Sequence, residues 1–131
     1  MGEGEILYLS RADVEAVALD MPTMIELLET AFREKGKGHV EMPPKPGIHT
    51  QPDAFIHAMP AHIPALHAAG IKWVSGYPGN QAIGLPYITG LLILNDEVTG
   101  LPYSVMDCTW ITAYRTGAAT ALSAKYLARP Q

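Results

Sequence analysis

The amino-acid sequence predicts an α+β domain, with two amino-terminal helices, a mixed but mostly antiparallel sheet, and a closing helix. Three observations carry that prediction. Helical periodicity is confined to the two ends of the chain. The stretch from Val40 to Gly100 is cut by prolines and glycines into short apolar runs. Turn signals, not helical crossovers, join those runs, which argues against alternating βαβ units. At 131 residues the chain fits one compact domain, and 48% hydrophobic against 17% charged residues supplies material for a core.

Each element has a local reason. Ile6-Leu7-Tyr8-Leu9 is a short apolar strand. Ser10 follows as a helix N-cap whose hydroxyl can accept an orphan backbone N–H, with Asp13 in the favourable first turn and Val14, Val17 and Ala18 as the apolar stripe. Asp20 and Pro22 open the second helix. There Met24, Ile25, Leu27, Leu28, Ala31 and Phe32 recur at helical spacing, with Glu26, Glu29, Arg33 and Glu34 opposite them, until Gly36 and Gly38 end the pattern.

Pro43, Pro44 and Pro46 exclude helix around Lys45. Ile48-His49 and Ala54 to Met59 flank the turn signal Gln51-Pro52-Asp53 and are predicted to form a hairpin, with Phe55, His57 and Met59 on one face. Pro60 and Pro64 are expected to end regular structure there. Ile71 to Ser75 is a strand holding Lys72 between apolar neighbours, and a glycine- and proline-rich loop runs from Gly76 to Leu85. Tyr87 to Leu94 reads as a central strand, Asn95 to Gly100 as a turn with Gly100 left-handed, and Leu101 to Met106 as the hairpin partner. Asp107 and Thr109 are candidate caps of the last helix. On it Ala113, Gly117, Ala118, Ala121 and Leu122 make a face of mostly small residues, before Arg129-Pro130-Gln131 stops it.

Several function classes are disfavoured. Nine basic against thirteen acidic residues leave a net charge of -4, with no basic footprint for nucleic acid and no polybasic membrane anchor. The longest apolar stretch, Ile88 to Leu94, falls far short of the ~20 residues of a membrane span. The acidic start does not resemble a secretory signal. A single cysteine, Cys108, forms no internal disulfide, so the chain reads as cytoplasmic, and its thiol is expected in the core. His57, His62 and His67 stand in five-residue steps among prolines, a poor ligand spacing, so no metal site is expected. Neither a Gly-Lys-Ser/Thr phosphate loop nor a Gly-x-Gly-x-x-Gly fingerprint occurs. What remains is three cations in apolar settings: Lys45, Lys72 and Arg115. Lys72 either snorkels from a strand edge to water or meets an anion. Arg115 is either a helix-surface residue or one arm of a carboxylate clamp.

As a group these residues resemble the ornithine cyclodeaminase/mu-crystallin family. The resemblance is carried by the run from Ile71 to Asn80 with Gly84-Leu85-Pro86, by Leu91 to Met106 with its Glu97-Val98-Thr99-Gly100-Leu101-Pro102 turn, and by Ile111 to Ala119. It extends over nearly the whole chain. It implies NAD or NADP as cofactor, a small amino or imino acid as substrate, and a homodimer formed through a sheet face or edge. By the family pattern Lys72 would bind the substrate carboxylate, Arg115 would bridge that carboxylate and the cofactor side, Lys45 would hold the same carboxylate, and Met59 would lie near the substrate. Tyr87 falls where the cyclodeaminases proper carry a cofactor-touching threonine, a departure that counts against ornithine itself, and Thr116 would serve the cofactor phosphate side. The resemblance also implies that the chain is the amino-terminal substrate-binding and dimerisation domain, ending before a Rossmann domain that would supply the catalytic acid or base. An alternative within the same resemblance is a small-ligand carrier or a dimerisation module without turnover.

Overall fold

The computed structural model describes residues 5–129. Six strands form one sheet: β1 (Leu7–Leu9), β2 (Gly47–Ile48), β3 (Phe55–Ile63), β4 (Ala68–Gly76), β5 (Ile88–Asn95) and β6 (Pro102–Asp107). Three helices accompany them: α1 (Arg11–Val17), α2 (Met21–Gly36) and α3 (Thr109–Leu127). The sheet order is β1-β6-β5-β4-β3-β2. All pairings are antiparallel except β1 with β6, which is parallel. Two helices, a mixed and mostly antiparallel sheet and a closing helix are the α+β arrangement predicted, with short 3₁₀ turns at Pro64–Leu66 and Pro78–Ile83 added to it.

The caps explain where the helices begin. Ser10 and Asp13 form a reciprocal capping box on α1, and the Asp20 carboxylate accepts the Thr23 N–H at 2.8 Å on α2. At α3 the N-cap position is Cys108, whose side chain makes no capping bond, and the preceding Asp107 carboxylate accepts the Thr109 N–H at 2.8 Å instead. Gly38 and Gly100 both take the left-handed conformation, the first just past α2 and the second in the β5–β6 turn.

One expectation fails. Pro60 does not end regular structure, because β3 runs on to Ile63 and pairs with β4 along its length. The reason is the strand's edge. The Ala58 N–H donates outward to the Pro46 carbonyl, and His62 exchanges both backbone bonds with Glu41. Pro60 shares their parity, so its missing N–H faces the poorly paired outer edge, where proline is tolerated. The expected stop at Pro130 and Gln131 lies outside the described residues, and α3 ends at Leu127.

The three helices lie on one side of the sheet. Lys72 of β4 reaches Thr112 of α3, and a Cβ built on Gly90 of β5 would point at the Cys108 sulfur, so even-numbered residues of these strands face α3. Val74, Cys108, Ala118 and Leu122 are buried there, with Val14 of α1 and Met24 of α2. Cys108 is fully buried, as expected of a core thiol, and burial pushes its pKa up. Of the small-residue face of α3, Ala118 is buried, whereas Ala113 and Gly117 are exposed. The opposite face of the sheet carries Trp73 beside Leu91, its register partner on β5, and among the described residues no helix covers it. Both are nearly half exposed, at 45% and 46%.

Candidate functional site

Four elements converge on one cleft of about 590 Å³. The proline-rich approach to β2 brings Lys45, a side chain the surrounding prolines hold in extended backbone. β3 brings Met59 and β4 brings Lys72. These two are direct cross-strand partners, so antiparallel pairing puts both on the helix-facing side. The first turns of α3 bring Arg115, and the last turn of α2 brings Lys35. Met42 to Pro44, Pro60, Ala61 and Ile111 supply the apolar walls.

The electrostatics of this cleft are one-sided. Its lining contains four cations and no acidic residue, in a chain whose net charge is -4. Lys72 is half-buried, and its hydrogen-bond partner in the structure is the neutral Thr112 hydroxyl at 3.4 Å. Burial holds the Lys72 pKa below its ordinary value, and the neighbouring charges of Arg115 and Lys45 push it further down. An ammonium placed so gains nothing from the fold itself. It gains from an anion that enters the cleft. Both readings left open for Lys72, water or an anion, are compatible with this half-buried position. A guanidinium fork with ammonium groups around it is a receptor for a planar carboxylate.

The structure thus brings together Lys45, Met59, Lys72 and Arg115, and places two other expected site residues elsewhere. Tyr87 precedes β5, is 40% exposed and accepts the Tyr77 N–H through its backbone carbonyl. Thr116 follows Arg115 on α3 and donates its hydroxyl to the Thr112 carbonyl at 2.7 Å. Neither lines the cleft. Sequence reasoning missed Lys35, Met42, Ile111 and Thr112. Ile111 and Thr112 were within reach, since they stand one helical turn before Arg115 on the same face. Lys35 was not, because its place in the last turn of a surface helix says nothing about which loop that turn abuts. Among the described residues no group of histidine, cysteine and carboxylate side chains is arranged to hold a metal ion. His62 and His67 instead share the Glu97 carboxylate at 3.0 and 2.7 Å.

Comparison with known proteins gives the chain its relatives. The chain is 49% identical over 122 residues to the nodulation efficiency protein NfeD of Rhizobium meliloti, covering 93% of this chain and 38% of that protein. Among solved structures it is similar to an archaeal alanine dehydrogenase dimer with bound NAD, at 43% identity and a TM-score of 0.88. It is also similar to the Thermococcus litoralis Δ1-pyrroline-2-carboxylate reductase in complex with NADH and L-proline, at 41% identity and a TM-score of 0.90. Each of these two matches covers 95% of this chain and 38% of the solved one. The chain therefore spans about two fifths of the length of its relatives. The sequence model of one family matches residues 5–131, and the chain belongs to that family, the ornithine cyclodeaminase/mu-crystallin family.

Proposed function

We propose that this chain is the substrate-binding part of an NAD(P)-dependent enzyme acting on a small amino or imino acid, and that its cationic cleft holds the substrate's α-carboxylate. The single observation that carries the reading is the meeting of Lys45, Lys72 and Arg115 in one cleft without a compensating acid. Arg115 grips the carboxylate with its fork, Lys72 meets it from the sheet, and Lys45 closes the third side. Held at three points, the acid presents its α-carbon in one orientation, a positioning contribution to rate. Met59 and Ile111 exclude water beside it, which strengthens every charge–charge contact in the cleft.

The cofactor reading is compatible with the surface next to the cleft. Arg115 and Thr116 are exposed, and the space where Gly117 would carry a Cβ is open, so a cofactor can approach α3 on that side. When bound, NAD or NADP supplies the hydride acceptor or donor for the α-carbon. This chain contributes no glycine fingerprint and no carboxylate to the cleft. The reading therefore assigns nucleotide binding and the general acid or base to a separate Rossmann domain, and the 131 residues alone are expected to show no turnover. NAD(P)-dependent activity of the isolated chain on any amino acid would contradict that division of labour.

The uncovered sheet face fits a homodimer. Trp73 and Leu91 stand side by side on it, and an exposed apolar patch of this kind marks an interaction surface. The carboxylate assignment has its own test. In the intact enzyme Lys72→Met raises the substrate KM at least tenfold and leaves cofactor affinity nearly as it was, whereas an unchanged KM rules the assignment out.

A further inference from the structure

Thr112 stands between Lys72 and the core, and its own contacts are fixed from behind. The start of α3 rests on β5 at Gly90, whose carbonyl accepts the Cys108 N–H at 3.0 Å. A Cβ on Gly90 would lie 3.1 Å from the Cys108 sulfur and collide with the Trp73 carbonyl, so glycine lets the first turn of α3 sit this close to the sheet. One turn on, the Thr112 N–H donates to the Cys108 carbonyl at 2.8 Å, and its hydroxyl donates to the fully buried Cys108 sulfur at 3.8 Å. Threonine is stiff at χ1, so these contacts hold the hydroxyl in one orientation. A hydroxyl has one proton and two lone pairs. With the proton on the sulfur, the lone pairs are left for Lys72, whose ammonium can only donate and lies 3.4 Å away.

We infer that Thr112 is a positioning residue for Lys72, and that its hydroxyl, oriented by Cys108, holds the ammonium inside the cleft with Arg115. This rests on the reading above only in what the ammonium then does, which is to meet the substrate carboxylate. Without this acceptor the lysine side chain regains its rotamer freedom and turns its charge out to water. The titratable and charged groups that face Lys72 are Arg115 and Cys108 from α3 and Lys45 from the approach to β2, and Lys35 of α2 lines the same cleft. Arg115 and Lys45 press Lys72 toward its neutral form, and the Thr112 oxygen works against them, because an accepted hydrogen bond favours the charged form.

The test is a pH titration of Lys72, followed by NMR at its ε-methylene in the chain carrying isotopically labelled lysine, with Lys72→Met identifying the signal. Thr112→Val keeps the shape and removes the acceptor. It is expected to bring the Lys72 midpoint down by about half a unit or more, the size of a long hydrogen bond to a charged group. Thr112→Ser keeps the hydroxyl and should titrate close to wild type. Thr112→Ala removes the acceptor without adding a methyl and covers the case in which Thr112→Val does not fold. A Lys72 midpoint that stays at the wild-type value in these acceptor-free variants overturns the inference. Titration with acetate at neutral pH separates this outcome from the carboxylate reading. Thr112→Val is expected to weaken acetate by about threefold or more, the effect of freeing one long side chain, and Thr112→Ser to leave it nearly unchanged. Acetate bound equally by wild type and Lys72→Met contradicts the carboxylate reading, while the lysine titration still decides the role of Thr112.

Discussion

Lys72 is a cost to the fold that, under the proposed function, an incoming carboxylate offsets. Half-buried, beside Arg115 and with only a hydroxyl for company, it is easier to deprotonate than a free lysine. Its pKa is lower folded than unfolded, so the protonated form disfavours folding at neutral pH, and replacing it with an apolar side chain of similar length removes that penalty. Lys72→Met is expected to raise the unfolding temperature of the ligand-free chain, by an amount that the solvent reaching this half-exposed side chain keeps small, while weakening carboxylate binding. A thermal melt without ligand checks the first half, and a fall in melting temperature would contradict it. The pH dependence follows with a definite sign. A bound anion favours charged Lys72, so affinity falls as pH rises through the folded pKa, which lies below the ordinary 10.5. At this scale the sequence was partly legible. A lysine inside Ile71-Lys72-Trp73-Val74 announces a conflict between burial and charge. Whether water or an anion resolves it depends on Thr112 and Arg115, some forty residues further along the chain.

Among the elements, the junction of α2 and α3 shows what local pattern hides. The apolar spacing of α2 is clear in the sequence, yet only Met24 is buried and Phe32 remains 53% exposed. Polar groups do much of the joining. Glu29 of α2 accepts hydrogen bonds from Lys125 at 2.7 Å, from Arg33 at 2.7 Å and from the Tyr126 hydroxyl, and these bonds lower its pKa to about 2. The folded pKa is below the unfolded one, so this stabilisation is present above about 4.5 and is lost as pH falls from there toward 2. Glu29→Gln is expected to lower the melting temperature at pH 7 and to narrow the gap between melts at pH 7 and pH 3. An equal pH dependence in both proteins would show that Glu29 does not hold the two helices together. The sequence located α1, α2, the β5–β6 hairpin and α3, because each is specified by caps, turns and periodicity within a few residues. It misjudged Pro60, because proline is a breaker in a central strand and neutral at an outer edge, and only the partner strand says which applies.

For the whole molecule, the sheet has two unlike sides. Its helix side carries the core and the cationic cleft, and its other side is left apolar and uncovered around Trp73 and Leu91. Trp73→Asp would put a charge in the middle of that face and is expected to convert a dimer into a monomer by sedimentation without moving residues of the cleft. A wild-type chain that already sediments as a monomer would contradict the assignment of this face. The family resemblance made Lys45, Met59, Lys72 and Arg115 legible as a set. Composition and periodicity could not have, since these residues belong to segments separated by up to seventy positions and meet only through β3–β4 pairing and the return of α3. Lys35 stayed hidden because the resemblance offered no motif that included it.

The most direct test of the carboxylate cleft is an NMR titration of the isotopically labelled chain with L-alanine, repeated on Lys72→Met. The expected result is a set of shifts confined to the backbone around Met42 to Lys45, Met59 to Ala61, Lys72 and Ile111 to Arg115, and largely lost in the variant. Shifts centred instead on the α2–α3 groove around Phe32 and Tyr126, or shifts that persist unchanged in Lys72→Met, would contradict it.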